Sequence, residues 1–120
     1  MKTLLIGASP NPERYAYKAA CSLKEHGHNV VLLGIKPGNV EGIQIQTDRP
    51  ELKDVDTVTL YLNPQNQVSW YSYIVGLKPR RIIFNPGTEN EQLAEIARAV
   101  GIEIVEACTL VMLSLGNYEI

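Results

Sequence analysis

Three Asn-Pro steps, Asn11-Pro12, Asn63-Pro64 and Asn85-Pro86, each follow an apolar run of strand length, and the first closes the turn Gly7-Ala8-Ser9-Pro10-Asn11-Pro12. A glycine directly after a strand lets the backbone approach a ligand, and the free N–H groups at the start of the next helix attract phosphate. The turn therefore reads as an anion site. Helix-end charge contributes only about 0.3–2 kcal/mol, whereas micromolar affinity requires about 8 kcal/mol. Cationic side chains and buried ligand surface must supply the rest, and Arg14, on the expected first turn of that helix, is the nearest cation. Tyr17, close to the same turn, is the neighbouring candidate for stacking or hydrogen bonding. At Asn63-Pro64 two readings stay open, a ligand contact or an ordinary helix start, because Asn is a favoured N-cap and Pro fits the first helical position. Asn85-Pro86-Gly87 stands before Thr88, itself a capping residue, so it reads as an extra backbone turn above the same strand ends.

The end of the second apolar strand carries Gly34-Ile35-Lys36-Pro37. A dinucleotide site of the G-x-G-x-x-G type would place an acid there for the ribose hydroxyls, and its glycine pattern is also missing, since positions 9 and 12 are Ser and Pro. A cation suits a ribose phosphate instead. That leaves coenzyme A, with its 3′-phosphate, or NADP, with its 2′-phosphate, and the absent second glycine weighs against NADP. The alternative for Lys36 is a plain surface charge. No acid–base pair for catalysis stands out, because Glu89 and Glu91 belong to a helix start. His26 and His28 flank Gly27 at the far end of the first helix, where solvation or capping explains them. Cys108 follows the last strand and could face a ligand thiol, whereas Cys21 sits beside an apolar helical stripe.

Those residues need a scaffold, and the apolar pattern describes one. Strand-like runs at residues 4–6, 30–33, 57–62, 81–84 and 102–105 alternate with segments of helical periodicity. The alternation predicts an α/β fold: a three-layer, Rossmann-like, mostly parallel sheet with helices on both faces. The first helix is expected over residues 12–26 with Ala16, Ala19, Ala20 and Leu23 inward, ending at Gly27. A second is expected over 64–75, presenting Val68, Tyr71 and Val75, with Trp70, Tyr71 and Tyr73 partly buried and an aromatic available to stack on adenine. The third, over 89–100, presents Leu93, Ile96, Ala97 and Val100 behind a Thr88–Glu91 capping box. Between strands, residues 43–47 form a candidate edge strand whose direction stays open, because nine residues are short for a parallel crossover. The apolar segment Leu110 to Leu115 seeks burial on the sheet or, as the alternative, in a homodimer.

With 120 residues and no linker-like segment, the chain is expected to form one domain, 1–120. Two cysteines without metal-ligand spacing exclude a disulfide scaffold or zinc module and suit a reducing compartment. A net charge of −2 with no long basic run argues against nucleic acid as a partner. No apolar stretch has membrane-spanning length, so a cytoplasmic location without a membrane partner is expected.

Taken in order, Gly7 to Arg14, Tyr17, the segment Asn85-Pro86-Gly87-Thr88-Glu89-Asn90-Glu91 and Cys108 resemble the small CoA-binding domain proteins, relatives of the nucleotide-binding domain of the succinyl-CoA synthetase α-subunit. The resemblance implies a CoA diphosphate at Ser9 to Arg14, with Pro10 and Asn11 in the turn. It puts adenosine near Lys36 and Pro37, and a reactive-end crevice near Asn63, Gly87 and Cys108, with Pro86 beside them. The chain departs from the family at Gly34-Ile35, where Asn-Pro is common, and at Met112-Leu113, where an acid–His pair often follows the cysteine. The expected function is therefore binding of CoA or an acyl-CoA by a non-catalytic module. An NADP-type enzyme and a protein-interaction domain on a degenerate nucleotide fold are the alternatives.

Overall fold

The structure, a computed structural model, describes residues 1–119; Ile120, the last residue of the expected domain, lies outside the described residues. Its centre is a seven-stranded sheet in the order β3-β4-β2-β1-β5-β6-β7. The strands are β1 (Lys2–Ile6), β2 (Asn29–Leu33), β3 (Gly38–Val40), β4 (Ile43–Gln46), β5 (Thr57–Leu60), β6 (Arg81–Phe84) and β7 (Glu103–Glu106). Every pairing is parallel except that of β3 with β4. β5 and β6 are buried along their whole length, as strands covered on both faces must be. At one edge, β7 begins and ends in exposed glutamates, which discourage pairing with another chain.

The β3–β4 hairpin settles the open direction of the edge strand. Val40 pairs with Ile43 across Glu41-Gly42, and both turn residues have positive φ, 51° and 86°, the geometry of a two-residue type I′ turn. The chain leaves β2, runs back along the outer edge as β3, and turns into the gap beside β2 as β4. No helical crossover is needed, so nine residues suffice.

Two layers of helix cover the sheet. On one face lie α1 (Tyr15–Glu25) and α5 (Thr109–Leu115), packed on Leu5, Leu32 and Ile83. The other carries α3 (Tyr71–Gly76) and α4 (Glu91–Ala99) over Leu4, Ile6, Leu60 and Phe84, with Leu52 and Val55 of the β4–β5 connection filling that layer. The alanine stripe of α1 is buried as expected. α5 turns Leu113 inward but leaves Val111 and Leu115 exposed, so the apolar tail is only half used by the core.

Several helix starts differ from the expectation. α1 begins at Tyr15 rather than at residue 12, because residues 11–14 are held in a turn of their own. The helix expected over 64–75 is broken into α2 (Pro64–Gln67), a 3₁₀ turn (Val68–Trp70) and α3, leaving Val68 exposed and Ile74 in the core. α4 is capped by Asn90, whose side chain accepts from the N–H of Leu93 at 3.1 Å. Thr88 is used otherwise: its hydroxyl donates to the Asn85 carbonyl at 2.8 Å. Ile96 and Val100 consequently face solvent while Ala94 is buried.

Candidate ligand-binding site

In a parallel sheet the turns that follow the strands share one edge, and here they enclose two adjoining cavities. The larger, about 840 Å³, lies over the ends of β2, β1 and β5. The smaller, about 450 Å³, lies over the ends of β5, β6 and β7. Tyr15 and Tyr61 line both and so stand at their boundary.

The floor of the larger cavity is the turn after β1. The N–H groups of Gly7 and Ala8 both donate to the Leu33 carbonyl at 2.9 Å, which ties the turn to β2. Gly7 has φ of 100°, and a Cβ there would lie 2.8 Å from the Tyr61 carbonyl, so only glycine fits. A Cβ at Gly34 would lie 2.5 Å from the Ala8 oxygen. The departure at position 34 thus serves the close approach of β2 to this turn.

Beyond Ala8 the turn is folded by its own side chains. Ser9 Oγ accepts from the Asn11 N–H at 3.1 Å, and Asn11 Oδ1 accepts from the Glu13 N–H at 3.0 Å. Asn11 is therefore occupied locally and does not cap α1. Arg14 takes the N-cap position in extended conformation, no side chain caps the helix, and no acid stands in its first turn. Helices usually fill that position with Ser, Thr, Asp or Asn and favour acids behind it. Leaving both out keeps the positive end of α1 open to an anion. Arg14 and Lys36, both exposed cations, line this cavity, and so does the exposed acid Glu13.

The far wall is built by the segment after β5. Asn63 does what its Asn-Pro step suggested, capping α2 by accepting from the Asn66 N–H at 2.9 Å, with Pro64 in the first turn. Asn66, Ser69 and Trp70 complete this wall. Behind it lies a buried polar clamp centred on Gln67, whose amide donates to the carbonyls of Leu62 and Thr88 at 2.8 Å each and accepts from Asn90 at 2.9 Å. Gln67 thereby fixes the β5 loop to the β6 loop.

Asn63, Pro86, Gly87 and Cys108 line the smaller cavity, joined by Leu110 and Asn85. Asn85 is buried and saturated: it donates to Thr59 Oγ at 2.7 Å and the Leu60 carbonyl at 2.9 Å, and accepts from the Thr109 N–H at 2.8 Å. It holds three loop starts together rather than facing a ligand. Tyr61 places its hydroxyl in the interior without a partner among the described residues. Burial pushes that phenol far up, so it stays protonated.

The cavities thus gather Gly7, Ala8, Ser9, Pro10, Arg14 and Lys36 in one and Asn63, Pro86, Gly87 and Cys108 in the other. Asn11, Tyr17 and Pro37 line neither. Tyr17 packs against the α1 core, and Tyr15, two residues earlier, takes the groove position. Met112 and Leu113 also lie outside both walls, Leu113 being buried in the core, so the loss of an acid–His pair there strips no polar group from these cavities. Among residues the sequence did not single out, Gln67 and Tyr61 gave no signal, because their roles depend on contacts made only in the fold.

Two acids of the segment after β6 are engaged locally. Glu89 accepts from the Gly87 N–H at 2.9 Å, and Glu91 pairs with Arg98 at 3.2 Å. Among the described residues no group of three or more His, Cys, Asp or Glu is placed to hold a metal ion. His26 and His28 lie at the opposite edge of the sheet. His26 bonds the Ser22 carbonyl at 2.7 Å as a helix-end residue, whereas His28 is buried, against the expectation, with Tyr118 edge-on at 4.9 Å and the Met1 amino group 3.2 Å away. No described helix is long and apolar enough to cross a membrane.

Comparison with known proteins gives the family and the fold. A family described as CoA binding domain matches residues 1–114. The crystal structure of a protein described as uncharacterized is 59% identical, covering 98% of this chain and 97% of its own, with a TM-score of 0.95. A hypothetical protein from Pyrococcus horikoshii OT3 is 25% identical over 94% of this chain and 81% of its own, with a TM-score of 0.85. A Thermus thermophilus structure, 17% identical over 98% of this chain and 90% of its own, shares the fold at a TM-score of 0.84. The search of curated proteins found no match.

Proposed function

The chain belongs to the CoA-binding domain family, and from that premise we propose that it binds coenzyme A or an acyl-CoA in the double cavity, as a binding module without chemistry of its own. The observation that carries this reading is the N-terminus of α1, which has no side-chain cap and no acid in its first turn, with Arg14 and Lys36 lining the same cavity. The diphosphate lies over the residue 7–14 turn, where helix N–H groups and Arg14 meet it. Lys36, at the end of β2, takes the 3′-phosphate. The pantetheine arm passes Tyr15 and Tyr61 into the smaller cavity, whose walls of Pro86, Leu110 and Cys108 suit a thiol or a short acyl group.

Thermal unfolding in the presence of CoA tests the reading. Ligand at about a hundred times its dissociation constant adds roughly 2.7 kcal/mol of stability, a shift of several degrees for a domain of this size. CoA should produce it, and NAD should not. Equal indifference to CoA, acyl-CoA and NAD would reject the proposal.

A further inference from the structure

Among the described residues one buried side-chain polar atom has no hydrogen-bond partner, the hydroxyl of Tyr61. A buried donor left unpaired destabilises a fold, and nearly all such groups in folded proteins are satisfied. The interior around this one is already committed. Thr109, beside the phenol, shares its hydroxyl with Thr59 at 2.8 Å and gives its N–H to Asn85 at 2.8 Å. Asn85 in turn donates its amide to Thr59 Oγ and the Leu60 carbonyl. Burial, followed by the neighbouring Cys108, pushes the phenol's pKa up, so the group stays available as a hydrogen-bond donor.

The same side chain lines both cavities, so it stands where a ligand that occupies the two must cross. Its backbone is fixed there. The Tyr61 N–H donates to the Ile6 carbonyl at 2.9 Å, and its own carbonyl lies against Gly7 so closely that a Cβ on that glycine would be 2.8 Å away. Adjustment is left to the side chain. Resting on the CoA reading above, we propose that Tyr61 recognises the pantetheine arm: on ligand entry its ring turns from the interior toward the boundary it already lines, and its hydroxyl donates to an amide carbonyl of the arm. The free protein holds the donor unpaired and the complex completes it. Tyr61 is then a specificity residue that favours pantetheine-bearing ligands over adenine nucleotides without an arm, a distinction that the cations Arg14 and Lys36 cannot make, since both ligand classes carry phosphate.

Tyr61→Phe keeps the ring and removes only the hydroxyl, which makes the test direct. Wild type and variant are compared by thermal unfolding without ligand and by calorimetric titration with CoA, and adenosine 3′,5′-bisphosphate is measured by competition against CoA. The free variant should melt at or above the wild-type midpoint, because no bond is lost. Its affinity for CoA should fall roughly tenfold, as loss of a hydrogen bond made only in the complex requires, while its affinity for the bisphosphate should stay within about twofold of wild type on the same basis. A lower midpoint for the free variant would show that the hydroxyl is already bonded without ligand and would overturn the proposal. So would an unchanged CoA affinity, or a loss with the bisphosphate equal to that with CoA, and in each of these cases the CoA reading stands. If the wild-type protein binds no CoA, the reading beneath fails and the role of Tyr61 falls with it.

Discussion

Gly34 and Ala8 come so close that a Cβ on residue 34 would sit 2.5 Å from the Ala8 carbonyl oxygen. The obstacle is backbone, not a side chain that can rotate away, and it belongs to the turn that forms the cavity floor. Gly34→Ala must therefore push the β1 turn and the β2 end apart. Overpacking of this kind costs about 1–3 kcal/mol. We expect a midpoint lowered by several degrees, and a loss of CoA response larger than the stability loss explains. A Gly34→Ala protein that melts and binds like the wild type would show that the contact is not needed.

Arg14 and Lys36 should behave in the opposite way. Both are exposed, and neither makes a salt bridge among the described residues. Replacing either by Ala should change stability by less than about 0.5 kcal/mol. Each lost charge-assisted contact is worth about 1.5–3 kcal/mol, so CoA affinity should fall on the order of tenfold to a hundredfold. Lys36→Ala should also erase any preference for CoA over dephospho-CoA, read by titration of both ligands on the same preparation.

The scaffold was legible in the sequence because burial on both faces forces continuous apolar strands and alanine spacing forces the α1 stripe. The site was legible in part. Gly7, Arg14 and Lys36, singled out as candidates by their places after β1 and β2, line one cavity. Tyr17 lines neither cavity, since residues 11–14 bond to one another and delay the helix, and Tyr15 lines both. The hydrogen-bond partners of Gln67 and Asn85 could not be assigned from spacing, because they are brought in from other loops by the fold.

Asn85 illustrates the distinction between holding a site and touching a ligand. Its side chain makes three hydrogen bonds in a buried position. Asn85→Ala leaves the Thr109 N–H and the Leu60 carbonyl without that partner, at about 1–3 kcal/mol for each unsatisfied group. Urea unfolding should show a loss of roughly 2–6 kcal/mol on that basis. A variant of unchanged stability would contradict the assigned role.

His28 sets an acid limit on stability. Burial, followed by the nearby Met1 amino group, lowers its pKa from the ordinary 6.5, with Glu119 at 3.4 Å opposing and His26 adding to the shift. The unfolded chain takes up a proton below that value while the folded chain resists it. The contribution of His28 should therefore be level above about pH 6.5 and reduce stability as the pH drops below it. His28→Gln should flatten the fall between about pH 6.5 and 5, where Asp56, held low by Arg80 and Thr57 despite its burial, does not yet titrate. An unchanged slope in the variant would place the acid sensitivity elsewhere.

The central claim, that the groove over α1 holds the phosphates of CoA, is tested most directly by calorimetric titration of the wild-type protein with CoA and dephospho-CoA under identical salt. The account predicts saturable one-to-one binding of CoA, weaker binding of dephospho-CoA, and a further fall of both affinities, on the order of tenfold to a hundredfold, in Arg14→Ala. Absence of heat with either ligand, or CoA binding that Arg14→Ala and Lys36→Ala leave intact, would contradict it.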